Sequence, residues 1–390
     1  MIDEHTINTL EFPKIITLIG GRCRTPYGHE AVRRIQPLFD RETIKRKQTE
    51  ISQMKDIITF GMAFPLSRME DCRELLARTQ VEGMFLDPTE ILRILELVEV
   101  SISLNGYDKD GREKFPAIDE YLRRVRAFPE LRTEIRRVID EEGQVRDNAS
   151  SKLKEIRLDL AESKRKIMAR LERILSDQQK QPGWQDDVIT MRSGRYVIPI
   201  PTSQYHSRSG ILHDRSQSGA TLYVEPEQTV ELNNRINLLM QEERLELDRI
   251  LRALTAEIAA RAAELTENTR LIGILDAIYA CAHFSKQIGG NQPSLSEEPL
   301  FDLVEARHPL LIVQYGEIEK VVPTSLGLDD KRQAVVVTGP NTGGKTITLK
   351  TIGLSLLMAQ SGLHIAAGEK STAGIFQSLF ADIGDEQSIE

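Results

Sequence analysis

Apolar residues recur three and four positions apart from Ile7 to about Glu142, as at Ile91, Leu92, Ile94, Leu95 and Val98 behind the start signal Asp87-Pro88-Thr89-Glu90. This spacing predicts an irregular helical domain over residues 1–142. Over 143–187 the chain turns charge-rich, and Leu153, Ile156, Leu160, Ile167, Leu171 and Ile174 keep near-heptad spacing. So narrow a stripe predicts one long helix, on the order of 45 Å for some thirty residues. Pro182-Gly183 breaks it, and over 188–226 the period changes. Short β-type runs in RYVIPIP and GATLYVEP lie between Gly/Ser turns, which predicts a small β-rich insertion. A second helical stretch over 227–290 places Leu247, Leu251, Leu254, Ile258, Ala262 and Leu265 on one stripe. Outgoing helix, β tip and returning helix together read as a lever with a head, because one-stripe helices bury their seams only against each other or the body.

After the linker-like Gly289-Gly290-Asn291-Gln292-Pro293 the pattern becomes α/β over 291–390. The short β-branched run Ala334–Thr338 is expected as a strand, and Lys345 to Gln360 as an apolar helix. Between them Gly339-Pro340-Asn341-Thr342-Gly343-Gly344-Lys345-Thr346 matches G-x-x-x-x-G-K-[ST] in full. Glycines let backbone N–H groups approach phosphates, the helix N-terminus adds partial positive charge, Lys345 neutralises phosphate oxygens, and the Thr346 hydroxyl suits Mg²⁺. The expected ligands are therefore ATP and Mg²⁺. The fold class is mainly α with a C-terminal α/β nucleotide-binding portion.

Hydrolysis also needs a carboxylate on a second strand. The one candidate region is Phe380-Ala381-Asp382-Ile383-Gly384-Asp385-Glu386, which reads either as that strand or as a connecting strand and loop. No catalytic residue is assigned. A sheet stopping at Glu390 would be half exposed, so the chain is expected to belong to a longer protein.

Charged residues make up 28%, aromatics 5%, and the net charge is −8, which excludes a uniformly basic nucleic-acid binder but leaves room for a local patch. Between Val188 and Tyr223, Arg192, Arg195, Arg208 and Arg215 stand against Asp214, a net +3, with His206 and His213 besides. Arginines among Ser/Gly turns with Tyr196 and Tyr205 suit contact with a phosphate backbone without base reading. Lys152, Lys154, Lys164, Arg165, Lys166 and Arg170 read as a solvated helix face. Cys23, Cys72 and Cys281 lack metal spacing and read as reduced core thiols. No apolar run approaches the roughly 18 residues of a membrane span, and the expected location is the cytoplasm. His308 in Arg307-His308-Pro309 reads as a turn rather than a catalytic base.

Several strings in order, ARHPLL at 306–311, GPNTGGKT with TLKTIGL, SGLHIAA at 361–367 and FADIGDEQSIE, resemble the MutS family of ATPases. RYVIPIP, GATLYVEP and Leu232-Asn233-Asn234 look like its type-two, recombination-suppressor branch. The resemblance implies a helical core, a lever, a clamp, and the start of an ABC-type ATPase domain that forms a homodimer across its nucleotide sites. It implies branched DNA as client, or ribosomes and their rRNA, with a non-catalytic dimerisation module as the third reading. It also places a base-packing segment near Val321 or Val322. The mismatch-reading Phe-x-Glu of the other branch is matched only by Phe128-Pro129-Glu130, which reads as a helix boundary. Walker B, the dimer signature and the Smr nuclease domain of many members have no counterpart in these residues, so ATPase and endonuclease activity are expected of the longer protein.

Overall fold

The computed structural model describes residues 2–109, 111–178, 188–206, 209–340 and 344–383. In order, its helices are α1 (Glu4–Thr9), α2 (Phe12–Gly20), α3 (Pro26–Arg33), α4 (Arg41–Phe60), α5 (Arg73–Arg78), α6 (Pro88–Gly106), α7 (Pro116–Leu122) and α8 (Pro129–Val138). There follow α9 (Ser151–Gln178), α10 (Val230–Ala259), α11 (Ala262–Gln287), α12 (Pro309–Tyr315) and α13 (Lys345–Gln360). The strands are β1 (Thr190–Arg192), β2 (Arg195–Pro201), β3 (Ile211–Arg215), β4 (Thr221–Glu225), β5 (Ser294–Ser296), β6 (Phe301–Ala306), β7 (Thr324–Leu328) and β8 (Thr372–Gly374). The chain divides into two compact units. One holds Met1–Gln80, Arg93–Arg132 and Ala260–Glu390, the other Val81–Leu92 and Thr133–Ala259.

Helix starts follow local chemistry. Asp3 accepts from the Thr6 amide at 2.7 Å, Thr25 from that of Gly28 at 3.0 Å and Asp40 from that of Thr43 at 2.9 Å, each side chain satisfying a donor the first helical turn leaves unpaired. Pro129 opens α8, so Phe128-Pro129-Glu130 is the helix boundary its proline predicts.

In the first unit α11 is the spine. From Leu271 to Ser285 no residue on it is exposed, whereas Glu264, Thr266 and Arg270 nearer its start are. Three polar side chains on it are fully satisfied. Asn268 accepts from the Arg126 amide at 3.0 Å and donates to Ser101 Oγ at 2.9 Å and the Arg126 carbonyl at 2.8 Å. Asp276 accepts from the Thr25 hydroxyl at 2.7 Å and from the amides of Thr25 and Arg24 at 2.8 and 3.0 Å. Burial nonetheless holds its carboxyl above the ordinary carboxylate range. Ser285 meets His364 Nδ1 at 2.8 Å. Close approach of α3 to α11 needs two glycines. A Cβ at Gly28 would overlap the Asp276 carboxylate, and one at Gly273 would lie 2.9 Å from Tyr27.

The same unit carries a sheet of order β5-β8-β6-β7, with β5 and β8 parallel and the other pairs antiparallel. The run Ala334–Thr338, expected as the strand feeding the glycine loop, pairs with no strand among the described residues, and Val336 is 84% exposed. β-branched residues become a strand only where a neighbouring backbone completes the ladder. Residues 375–380 likewise form no strand.

In the second unit α9 and α10 bury the expected seam: Leu153 is buried, and Ile156, Leu160, Ile167 and Leu171 share a core with Ile236 and Leu239. The stretch read as returning lever helices over 227–290 holds two helices. It breaks at Ala260–Arg261, and α11 lies in the first unit. The β tip is an antiparallel sheet of order β1-β2-β4-β3. Its inner face (Ile198, Ile200, Leu222, Val224) shares one core with Ile167, Leu171, Leu175 and α10, because a small sheet has no stability until one face is covered. Pro199 is tolerated in β2 because it lies past the end of β1.

Two outcomes are expected. Gly28→Ala, which in an ordinary helix stabilises, should here lower the unfolding free energy by about 2 kcal/mol, read from the urea midpoint. His364 is 4% exposed, and burial pushes its pKa down to about 4 from 6.5. The fold therefore holds the neutral ring, whose contribution is complete above pH 6.5 and is lost as pH falls towards 4. That loss is on the order of 3 kcal/mol. His364→Asn should flatten the stability–pH curve in that window.

Candidate nucleotide loop and basic tip

The glycine loop opens α13, sixteen residues long. Gly344, at φ +81°, occupies the position before the helix, and Gly339 sits at φ +152°. A Cβ at either would meet no atom within 4 Å, so these glycines serve backbone conformation and approach from outside rather than internal packing. Lys345 Nζ donates to the Gly339 carbonyl at 2.6 Å, closing the loop on itself. Thr346, half-buried, follows in the first turn. Asn341, Thr342 and Gly343 lie outside the described residues. The donors present, a helix N-terminus, a lysine and a hydroxyl on open backbone, fit a polyphosphate with Mg²⁺.

Asp382 borders an apolar groove of about 470 Å³ lined by Phe301, Leu326, Val335, Leu349 and Phe380. Asp385 and Glu386 lie outside the described residues. No group of three His, Cys, Asp or Glu side chains among the described residues could hold a metal ion. Val321 is buried and takes the Arg307 Nε donation on its carbonyl at 3.1 Å, whereas Val322 is exposed. His308 caps α12, with both ring nitrogens unpartnered among the described residues. Its burial pushes the pKa down to about 4, so it is a neutral ring without the partner a catalytic base needs.

At the tip, the two-residue turn Ser193-Gly194 has φ of +50° and +75°, the mirror-image turn that suits the twist of a hairpin. It places Arg192 opposite Arg195. Neither guanidinium is left to solvent alone. Arg192 pairs with Asp214 at 3.1 Å and lies over the Tyr223 ring, 4.4 Å from its centroid. Arg195 donates to Glu225 Oε1 and Asn234 Oδ1, both at 2.7 Å. Glu225, wholly buried, also takes Asn233 Nδ2 at 2.9 Å and meets His213 Nε2 at 2.6 Å. One carboxylate thus ties β2, β3 and α10 to the end of β4. Arg215 alone of the three described arginines has no side-chain partner among the described residues, and it is exposed. Arg208 lies outside them. The sequence count stopped at Tyr223, two residues short of the acid that neutralises Arg195.

On the α9 face, Lys166 pairs with Glu162 at 2.7 Å, as a solvated face would. Cys72 and Cys281 are buried free thiols, pushed up by burial to about 11 and about 12, and Cys23 is free and half-buried. No described helix is long and apolar enough to cross a membrane.

A family model described as MutS domain III matches residues 5–282. Over its whole length the chain is 38% identical to endonuclease MutS2 of Pelotomaculum thermopropionicum and 36% identical to endonuclease MutS2 of Halothermothrix orenii. Over 99% of its length it is 37% identical to endonuclease MutS2 of Geobacillus sp. (strain WCH70). Each match covers 49% of the relative, so the chain spans about half the length of these proteins.

Arg195→Ala leaves the buried Glu225 short of its cation and is expected to cost about 2 kcal/mol, below the usual range for buried pairs because the guanidinium is a quarter exposed. Arg215→Ala should move the urea midpoint by no more than about 0.5 kcal/mol.

Proposed function

This chain belongs to the MutS family, and from that membership we propose that it is a nucleotide-controlled clamp that takes ATP with Mg²⁺ at residues 339–346 and grips nucleic acid at the β tip. The observation that carries the reading is the loop itself: two glycines at positive φ on open backbone, a lysine and a threonine, set at the N-terminus of α13. There the helix end and Lys345 attract phosphate, and Thr346 is the residue to complete a Mg²⁺ shell. ATP binding biases the nucleotide domains of two chains to pair, and the levers pass that state to the tips.

The client in this reading is branched DNA. The relatives' name, endonuclease, denotes a nucleic acid as substrate, and the tip offers arginine without a base-reading element. Among the described arginines, the charge left to reach a phosphate backbone is that of Arg215, because Arg192 and Arg195 are compensated within the sheet. So little free charge per tip gives weak, salt-sensitive gripping, and affinity then depends on both tips of a dimer acting together. Turnover of ATP and cutting of DNA are properties of the longer protein in this reading.

ATP binding measured by calorimetry should be lost in Lys345→Ala, with thermal stability unchanged. Binding to a four-way DNA junction, titrated across salt, should weaken in Arg215→Ala, with the log–log salt slope shallower by about 1 per tip. ATP affinity indifferent to Lys345 would sink the nucleotide reading. Sedimentation with ribosomes, and none with junctions at matched salt, would replace the DNA client by rRNA.

A further inference from the structure

The helix that carries the glycine loop is held from the other end of the sequence. Between α1 and α2 the chain turns at Leu10-Glu11, and Glu11 does so in the left-handed region at φ +59°. A non-glycine residue occupies that region at a cost, and the surroundings must hold it there. The turn aims the Glu11 carboxylate inward, where it meets Lys350 Nζ at 3.1 Å. Both side chains are under 10% exposed. Burial works against the charge on Glu11, but hydrogen bonds from Lys14 and Lys350 outweigh it and hold the carboxyl below its ordinary range. One helical turn further along α13, Leu10 fills the space beside Gly353, where a Cβ would lie 2.6 Å from the Leu10 side chain. Lys14 reaches the other carboxylate oxygen at 2.8 Å, and His308, neutral, 1% exposed and without a hydrogen-bond partner among the described residues, lies near this group.

We propose that Leu10 and Glu11 position the nucleotide loop by fixing α13 at Gly353 and Lys350, so that Glu11 is a positioning residue of the nucleotide site. The inference rests on the nucleotide reading given above. Lys350 stands five residues after Lys345, about 8 Å along the same rigid helix. A helix gripped at two points one turn apart has its rotation and its height fixed, and with them the direction of the amides and of Lys345 at its start. A buried ion pair is a poor source of stability, since apolar replacements of similar volume serve as well. What it supplies is one geometry, because Lys350 on α13 and the carboxylate that Lys14 holds from α2 meet in only one register. An apolar contact in that place tolerates sliding by a fraction of a turn, and phosphate binding at the helix start does not.

The test separates positioning from stability. The double variant Glu11→Leu/Lys350→Met keeps the volume and removes the register. It is expected to keep the wild-type urea midpoint yet bind ATP about tenfold more weakly, a loss of about 1.4 kcal/mol. Without nucleotide, its amides at Gly344–Thr348 should exchange hydrogen faster than the wild type. The reversed pair Glu11→Lys/Lys350→Glu should recover part of the affinity. Wild-type ATP affinity and unchanged exchange in the double variant would overturn the positioning role while leaving the nucleotide site intact, which Lys345→Ala monitors in parallel. If instead Lys345→Ala binds ATP as the wild type does, the nucleotide reading itself has failed and the positioning role falls with it. Should the double variant not fold, Gly353→Ala, which displaces Leu10 alone, is expected to produce the same exchange signature; slow exchange there would overturn the proposal.

Discussion

A helix segment buried on every side cannot be oriented by hydrophobicity, and α11 from Leu271 to Ser285 is such a segment. Any rotation about its axis leaves apolar surface against apolar surface, so burial alone would permit several registers. Asn268, Asp276 and Ser285 remove that freedom. Each is buried, each would be costly if unpaired, and each finds its partners in a different segment: Ser101 and Arg126, the start of α3, and His364 in the loop after α13. The arrangement of the first unit depends on these three side chains. The glycines at 28 and 273 follow from it, because α3 must come close enough for Asp276 to reach the amides that begin it.

Much of this was legible beforehand. The heptad-like seam of α9, the β period of the tip, the helix boundary at Pro129 and the glycine loop before α13 all rest on local patterns, and local patterns survive folding. The strand expected at Ala334–Thr338 rests on pairing, which no single segment contains, and no ladder forms there among the described residues. The break at Ala260–Arg261 was hidden because one apolar stripe runs through both α10 and α11. One signal was available and unused. Asp276 is the only acid between Leu271 and Phe284 in an otherwise apolar helix, and a lone buried charge of that kind marks a structural anchor.

Charge at the tip carries a similar lesson. Composition gives a surplus, but a surplus acts at a distance only where the cation is not already answered. Glu225 absorbs Arg195, and Asp214 and Tyr223 absorb Arg192, so these arginines build the sheet that presents the remaining ones. Arginines that are answered within the sheet and one that is not thus stand in the same short stretch, and only the contacts tell them apart.

The corner at Leu10-Glu11 has a consequence in time as well as in space. Its partners lie 339 residues later in the case of Lys350, and the Ala381 amide that reaches Thr6 lies 375 residues later. A ribosome adding about 5–20 residues per second leaves this corner for roughly 20–70 seconds before its α13 partners exist. Through that interval Leu10 waits for the helix it packs on, and Glu11 has only Lys14, three residues on, to answer its charge. The corner at Leu10-Glu11 therefore reaches its final place only once Lys350 and Gly353 have been made, and until then it depends on whatever shields it.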